Sequence, residues 1–250
     1  MKRIIIALLF LSSWNFSQTI QSKLESLLSG LPLPKFNLTY DELKDKNSGT
    51  YQDEKTPFST KLEQTESLKE EIENESENAR NKRGSPQTSL ILGKRNASGD
   101  ILKFSQMSEA FSQRIISLTR NLERTNKGII DKGDLNIKKC GDIGEGTKNV
   151  NQIAECQKKE AKDRDMFAVD STNSVLNRVK QEWNTYLTAI TKYYKTLTDE
   201  VKEITRINSN ARFEINWFQK QMIETFTNIL KVIGNMHELR ESTIIAFNYL

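Results

Sequence analysis

One stretch limits what this chain can fold into more than any other. From Ser171 to Leu250 there is no Pro and a single Gly, and bulky residues recur at Trp183, Leu187, Ile190, Tyr194, Leu197, Val201 and Ile204 in alternating steps of four and three. The beat resumes at Ile215, Phe218, Met222, Ile229, Val232, Met236 and Leu239, with Asn208, Ala211 and Thr225 as weak members. Such steps keep side chains on one face of an α-helix, whereas a strand would need a period of two, so the stripe is buried by packing helix on helix. Asp100 to Asn126 repeats the pattern with Ile101, Phe104, Phe111, Ile115, Leu118 and Leu122, and Ser108 fills its polar position. The expected fold is all-α: an elongated antiparallel helical bundle or coiled coil with long C-terminal helices and irregular N-terminal and central loops.

The phase of the long seam permits one continuous rod, of which Asp100 to Asn126 would cover only about a third at ~1.5 Å rise per residue. Two features favour a hairpin broken at Asn208-Ser209-Asn210. Those residues suit caps and turns better than helix interiors. The second arm also carries a further stripe, Ile223, Leu230, His237 and Ile244 with Phe226 and Ile233, so it needs more than one neighbour. An antiparallel three-helix bundle follows, with Trp183, Tyr186, Tyr193, Tyr194, Trp217 and Phe218 read as core or bundle surface. Gly234 marks a place for a kink.

The N-terminal part divides differently. Residues 1–18, MKRIIIALLFLSSWNFSQ, have a basic start, a short apolar run from Ile4 to Leu11 and a polar stop. They read as a secretory signal peptide, since the run is too short for ~30 Å of hydrocarbon. Residues 19–58 are expected to hold a short amphipathic helix, ended near Gly30 and Pro32, and then a Pro/Asn/Lys-rich loop anchored by Phe36, Leu38 and Tyr40. Residues 59–97 read as an acidic, solvated helix from Ser59 to Arg83, with Thr60 and Glu63 at capping-box spacing, followed by a linker. Residues 98–250 form the bundle. Gly128 is expected to end its first helix, and 129–157 to be a Gly/Cys loop.

Hydrophobic residues make up 36% of the chain and charged ones 28%, with 37 Lys and Arg against 33 Asp and Glu. A mean hydropathy of −0.62 fits a helical bundle with much solvated surface. No dense basic block with interleaved aromatics is present, so nucleic acid is not an expected partner. Export puts Cys140 and Cys156 in an oxidising compartment, where a structural disulfide is their expected state. A zinc site would lack ligands, because the chain has only one His, His237. Gly141, Gly144 and Gly146 run G-x-x-G-x-G without a following Gly-Lys-Ser/Thr, which argues against a phosphate loop. No catalytic, cofactor or metal signature stands out, and neither a cofactor nor a small-molecule ligand is indicated.

The expected function is that of a non-enzymatic protein, secreted or periplasmic after signal-peptide cleavage, that binds a protein partner or assembles with itself. The order of signal peptide, short helix, cysteine-bearing loop and long C-terminal helices resembles the layout of minor pilus subunits of type IV secretion systems. That resemblance implies a role in a secretion or conjugation apparatus and, being one of layout, transfers no residues. A membrane-active, pore-forming protein is the less favoured alternative; it would open the faces around Phe226 to Ile233 and Ile244 to Leu250 onto lipid.

Overall fold

A computed structural model of the chain describes residues 20, 22–45, 49–80, 88–142, 150–207 and 211–248. The expected signal peptide, the glycines at 144 and 146 and the Asn208-Ser209-Asn210 break lie outside these residues. All regular structure among the described residues is helical, so the fold is all-α. The helices are α1 (22–27), α2 (Tyr40–Lys44), α3 (Gly49–Arg80), α4 (Thr88–Asp142), α5 (Val150–Ile207) and α6 (Arg212–Asn248). Among the described residues, no helix is long and apolar enough to cross a membrane.

Several expected boundaries need correction. α3 starts at Gly49 rather than Ser59 and carries Pro57 inside it, so Thr60 and Glu63 do not cap it. α4 begins at Thr88, upstream of the expected boundary at residue 98, and runs through Gly128 to Asp142. Of the Gly/Cys loop expected at 129–157, residues 129–142 and 150–157 are therefore helical, and 143–149 lie outside the described residues. The reason is tertiary: a mid-helix Gly costs only ~1 kcal/mol relative to Ala, which packing against neighbours outweighs. The capping box of this region lies elsewhere. Thr39 accepts from the Glu42 N–H, and the Glu42 carboxylate accepts from the Thr39 N–H, starting α2 in a segment expected to be loop.

The long helices contribute to two compact units. The first contains Pro57–Ala110, Thr185–Lys231 and the described residues up to Pro32. Here α4 and α5 run antiparallel: the Tyr186 hydroxyl donates to Ser108 Oγ at 2.8 Å, while Phe104 stacks on Tyr193 at 5.1 Å, so numbering falls along one helix as it rises along the other. The polar position in the α4 seam is thus a hydrogen-bonding partner for a buried tyrosine. α6 buries a wide apolar arc in this unit, with Phe218, Met222, Ile223, Phe226 and Ile229 all fully buried. Each such side chain removed from water is worth roughly 1.5–3 kcal/mol. α3 brings Thr65, Leu68 and Ile72 as its buried stripe, and Lys220 of α6 lies 3.9 Å from its Glu73. α1 docks through Leu24 and Leu27, its Leu24 carbonyl accepting from the Tyr194 hydroxyl. Gly30, at φ 64°, ends that segment in the left-handed region that favours Gly.

The second unit contains Leu33–Thr56, Phe111–Asn184 and Val232–Leu250. α4 and α5 are antiparallel here too, paired through Arg114 and Glu182 at 2.7 Å and Arg164 and Asp134 at 2.8 Å. α6 runs parallel to α4, since Asn235 bonds Ser112 and Asn126 donates to Thr243 at 2.9 Å. α5 and α6 are therefore antiparallel, with the Thr172 and Thr243 hydroxyls 3.0 Å apart. The C-terminal stretch is a hairpin rather than a rod, and α4 completes an antiparallel three-helix bundle. Of the seam residues, Ile101, Leu118 and Leu187 are half-buried and the others are buried.

A strap, residues 33–45, non-helical as far as Thr39 and helical in α2, lies on this bundle. Leu38 and Leu43 join Ala168, Val169, Ile244 and Phe247 in one apolar cluster. The amide side chain of Asn173 accepts from the Leu38 N–H at 2.7 Å and donates to its carbonyl at 2.9 Å, serving the strap as a neighbouring strand would. Arg240, only 2% exposed, donates to the Asn37 carbonyl at 3.1 Å and sits 3.0 Å from the Glu42 carboxylate. Burial pulls that carboxyl upward, but the Thr39 N–H, Lys35, Arg240 and the Thr39 hydroxyl together hold it below its ordinary value.

Candidate functional site

The site with the most distinctive geometry lies in the second unit, in the valley between α4 and α5. Thr125, Gly128, Ile129, Lys132, Gly133 and Asn136 line it from α4, and Glu160, Asp163, Arg164 and Phe167 from α5, around a cavity of about 280 Å³. On each helix the spacings are three and four, so each set is a single face, and the α4 set covers about 16 Å at the ~1.5 Å rise of a helix. Phe167 is 65% exposed and its neighbour Met166 is 38% exposed. Ile129 packs partly against the apolar cluster below.

Cys140 and Cys156 are joined by a disulfide with their Cα atoms 5.8 Å apart. Each lies one turn beyond the valley, past Asn136 on α4 and before Glu160 on α5. The crosslink ties the two walls together at that end.

Arg164 forms much of the floor. Its side chain crosses Gly133 so closely that a Cβ there would come 2.4 Å from Cδ, 2.5 Å from Cγ and 2.9 Å from Cβ of Arg164. From that position it pairs with Asp134 at 2.8 Å and Asp165 at 3.0 Å, and its guanidinium stands 5.8 Å from the centre of the Phe247 ring. Asp165 is fully buried and also meets Lys44 of the strap. The charge of Arg164 is thus consumed inside the fold. Gly128 is different, because a Cβ built on it would meet nothing within 4 Å. The walls keep their other charges: Glu160 and Asp163 on α5, and Lys132 on α4.

Of the residues marked by sequence, only the cysteines border this valley; the seam residues build the cores instead. Gly128 and Phe167 were not marked as a site. His237 is buried within α6, as its place among apolar stripe positions suggested. No group of three or more His, Cys, Asp or Glu that could hold a metal occurs among the described residues. Fold and site together define a disulfide-tied, all-α bundle with an open valley between two helices. No protein-family model matches this chain, and no curated protein or solved structure matches it closely enough to support an argument.

Proposed function

We propose that this chain is an exported, non-enzymatic helical protein that works by docking a protein, a partner or a second copy, on the α4–α5 valley. The observation that carries the reading is Phe167: a large apolar ring 65% exposed on the wall of a 280 Å³ hollow. Leaving such a ring in water forgoes roughly 1.5–3 kcal/mol that burial would supply, and aromatic side chains set beside a pocket are typical anchors of binding surfaces. The titratable groups that the fold buries deepest, Asp165, Arg240 and Tyr194, all make structural bonds to main chain or to oppositely charged neighbours. A place in a type IV secretion or conjugation apparatus would be one setting for such docking. The membrane-active alternative draws less support, because Phe226, Ile229, Leu230 and Ile233 are buried and the bundle would have to open to present them to lipid.

The test compares pull-downs by the mature protein and its Phe167→Glu variant from the native envelope or medium, with sedimentation to detect self-association. The reading expects a captured protein, or a dimer, that the variant loses at an unchanged melting temperature. Capture and association indifferent to Phe167→Glu would overturn it.

A further inference from the structure

We infer that the valley takes a helix about three turns long, with an apolar anchor over Gly128, a basic edge facing α5 and an acidic residue facing Lys132; this rests on the docking reading above. Three features of the valley argue for that occupant. Its α4 wall runs from Thr125 to Asn136, about 16 Å, which matches the length of three helical turns. Two antiparallel helices with an open valley offer a third helix the same ridge-and-groove packing that builds the rest of the unit.

The second feature is Gly128. A glycine inside a helix forfeits about 1 kcal/mol against Ala. Gly133 has a reason within the fold, since Arg164 lies across it, whereas a Cβ on Gly128 would meet only open space. Among the described residues, no contact requires Gly128 to lack a side chain. An incoming residue does: the bare backbone deepens the valley opposite Phe167, leaving room for a Leu- or Phe-sized anchor.

Charge gives the occupant its orientation. Glu160 and Asp163 stand one turn apart on α5, and the cation between the walls, Arg164, is already taken by Asp134 and Asp165. The α5 wall therefore presents net negative charge and the α4 wall Lys132. A helix with Lys or Arg along one side of its apolar stripe and Asp or Glu on the other pairs with both walls in one direction only.

Photo-crosslinking tests this in the full chain expressed in its native cell. A benzoylphenylalanine at position 125, 132 or 167, each on the valley wall but clear of the bare backbone at Gly128, is irradiated, and the crosslinked peptide is sequenced by mass spectrometry. The expected product is a segment with apolar residues at steps of three and four, flanked by Lys or Arg. Its yield should fall at least tenfold on Glu160→Lys with Asp163→Lys, and return when the basic residues of that segment are changed to Glu. Circular dichroism melts confirm that the charge variants stay folded. Crosslinks to an extended, acidic or non-periodic segment, or a yield unmoved by the charge reversal, would sink the helix assignment and leave docking standing. No crosslink at any of the three positions would remove the docking reading and this inference together.

Discussion

Gly128 and Gly133 lie five residues apart on the same helix, and the same substitution is expected to move stability in opposite directions at the two. In an α-helix, Gly→Ala gains roughly 1 kcal/mol through backbone entropy and propensity. At Gly128 the new methyl meets nothing within 4 Å, so Gly128→Ala should stabilise by about that amount. At Gly133 it would lie 2.4 Å from Arg164 Cδ, 2.5 Å from Cγ and 2.9 Å from Cβ. Rotating the side chain relieves the first two contacts but breaks the pairing with Asp134 and Asp165, and the third yields only if α4 and α5 move apart. Overpacking costs about 1–3 kcal/mol. Loosening the pair made by Asp165, which is fully buried but keeps Lys44, adds part of the 3–5 kcal/mol expected when a buried pair is broken. After the propensity gain, Gly133→Ala should destabilise by roughly 2–4 kcal/mol. Urea unfolding followed by circular dichroism measures both variants on one scale. Equal stabilisation by the two would refute the placement of Arg164 over Gly133 and the electrostatic argument built on it.

Other perturbations report on other parts of the fold. Ile190→Asp puts an uncompensated charge at a fully buried seam position, and a loss of several kcal/mol or outright unfolding should follow; an unchanged melt would contradict the seam. Arg240→Leu removes the donor to Asn37 and one of the two cations paired with Glu42, and should cost about 2–4 kcal/mol. Adding Glu42→Gln should recover part of that loss, and a double-mutant coupling near zero would show that the pair does not hold the strap. The pH dependence has a definite sign. Burial, only partly opposed by the bond to Ser108, raises the Tyr186 hydroxyl from 10.0 to about 12, and burial also raises Tyr193 and Tyr194. The folded chain therefore holds these protons longer than the unfolded chain. The resulting stability is complete below pH 10 and is lost above it, for Tyr186 until about pH 12, at ~1.4 kcal/mol per unit per tyrosine. Tyr186→Phe should flatten that alkaline slope, and an identical slope in the variant would show that Tyr186 contributes nothing to it.

The seam was legible because greasy side chains in steps of three and four have few other ways to be buried, and it led to both C-terminal helices and to their antiparallel pairing. The end of α4 was misread because Gly128 carries a helix-stop signal while the contrary signal is faint. The beat does continue past Leu122 through Asn126, Ile129, Gly133 and Cys140, but apart from Ile129 its members there are polar, small or sulfur-bearing. In the structure Asn126 bonds Thr243, Gly133 supports Arg164, and Cys140 enters the disulfide. The strap left less trace. Asn173 meets Leu38 across 135 positions of chain and Arg240 meets Asn37 across 203, and ordinary polar residues give no local pattern for pairings at that range. The valley could not be read because it belongs to neither helix alone. Its one sequence hint was Phe167, a large ring off the seam on an otherwise charged stretch.

The burial of α6 in both units bears on how the protein is made. Arg212–Asn248 is the last helix described, and its residues up to Lys231 complete one core while those from Val232 complete the other. While these residues are still inside the ribosome, the nascent helices upstream have no finished interior to collapse around. Synthesis thus has to pass α6 before either unit can settle, and a premature stop codon ahead of Arg212 would deprive both of a core helix at once.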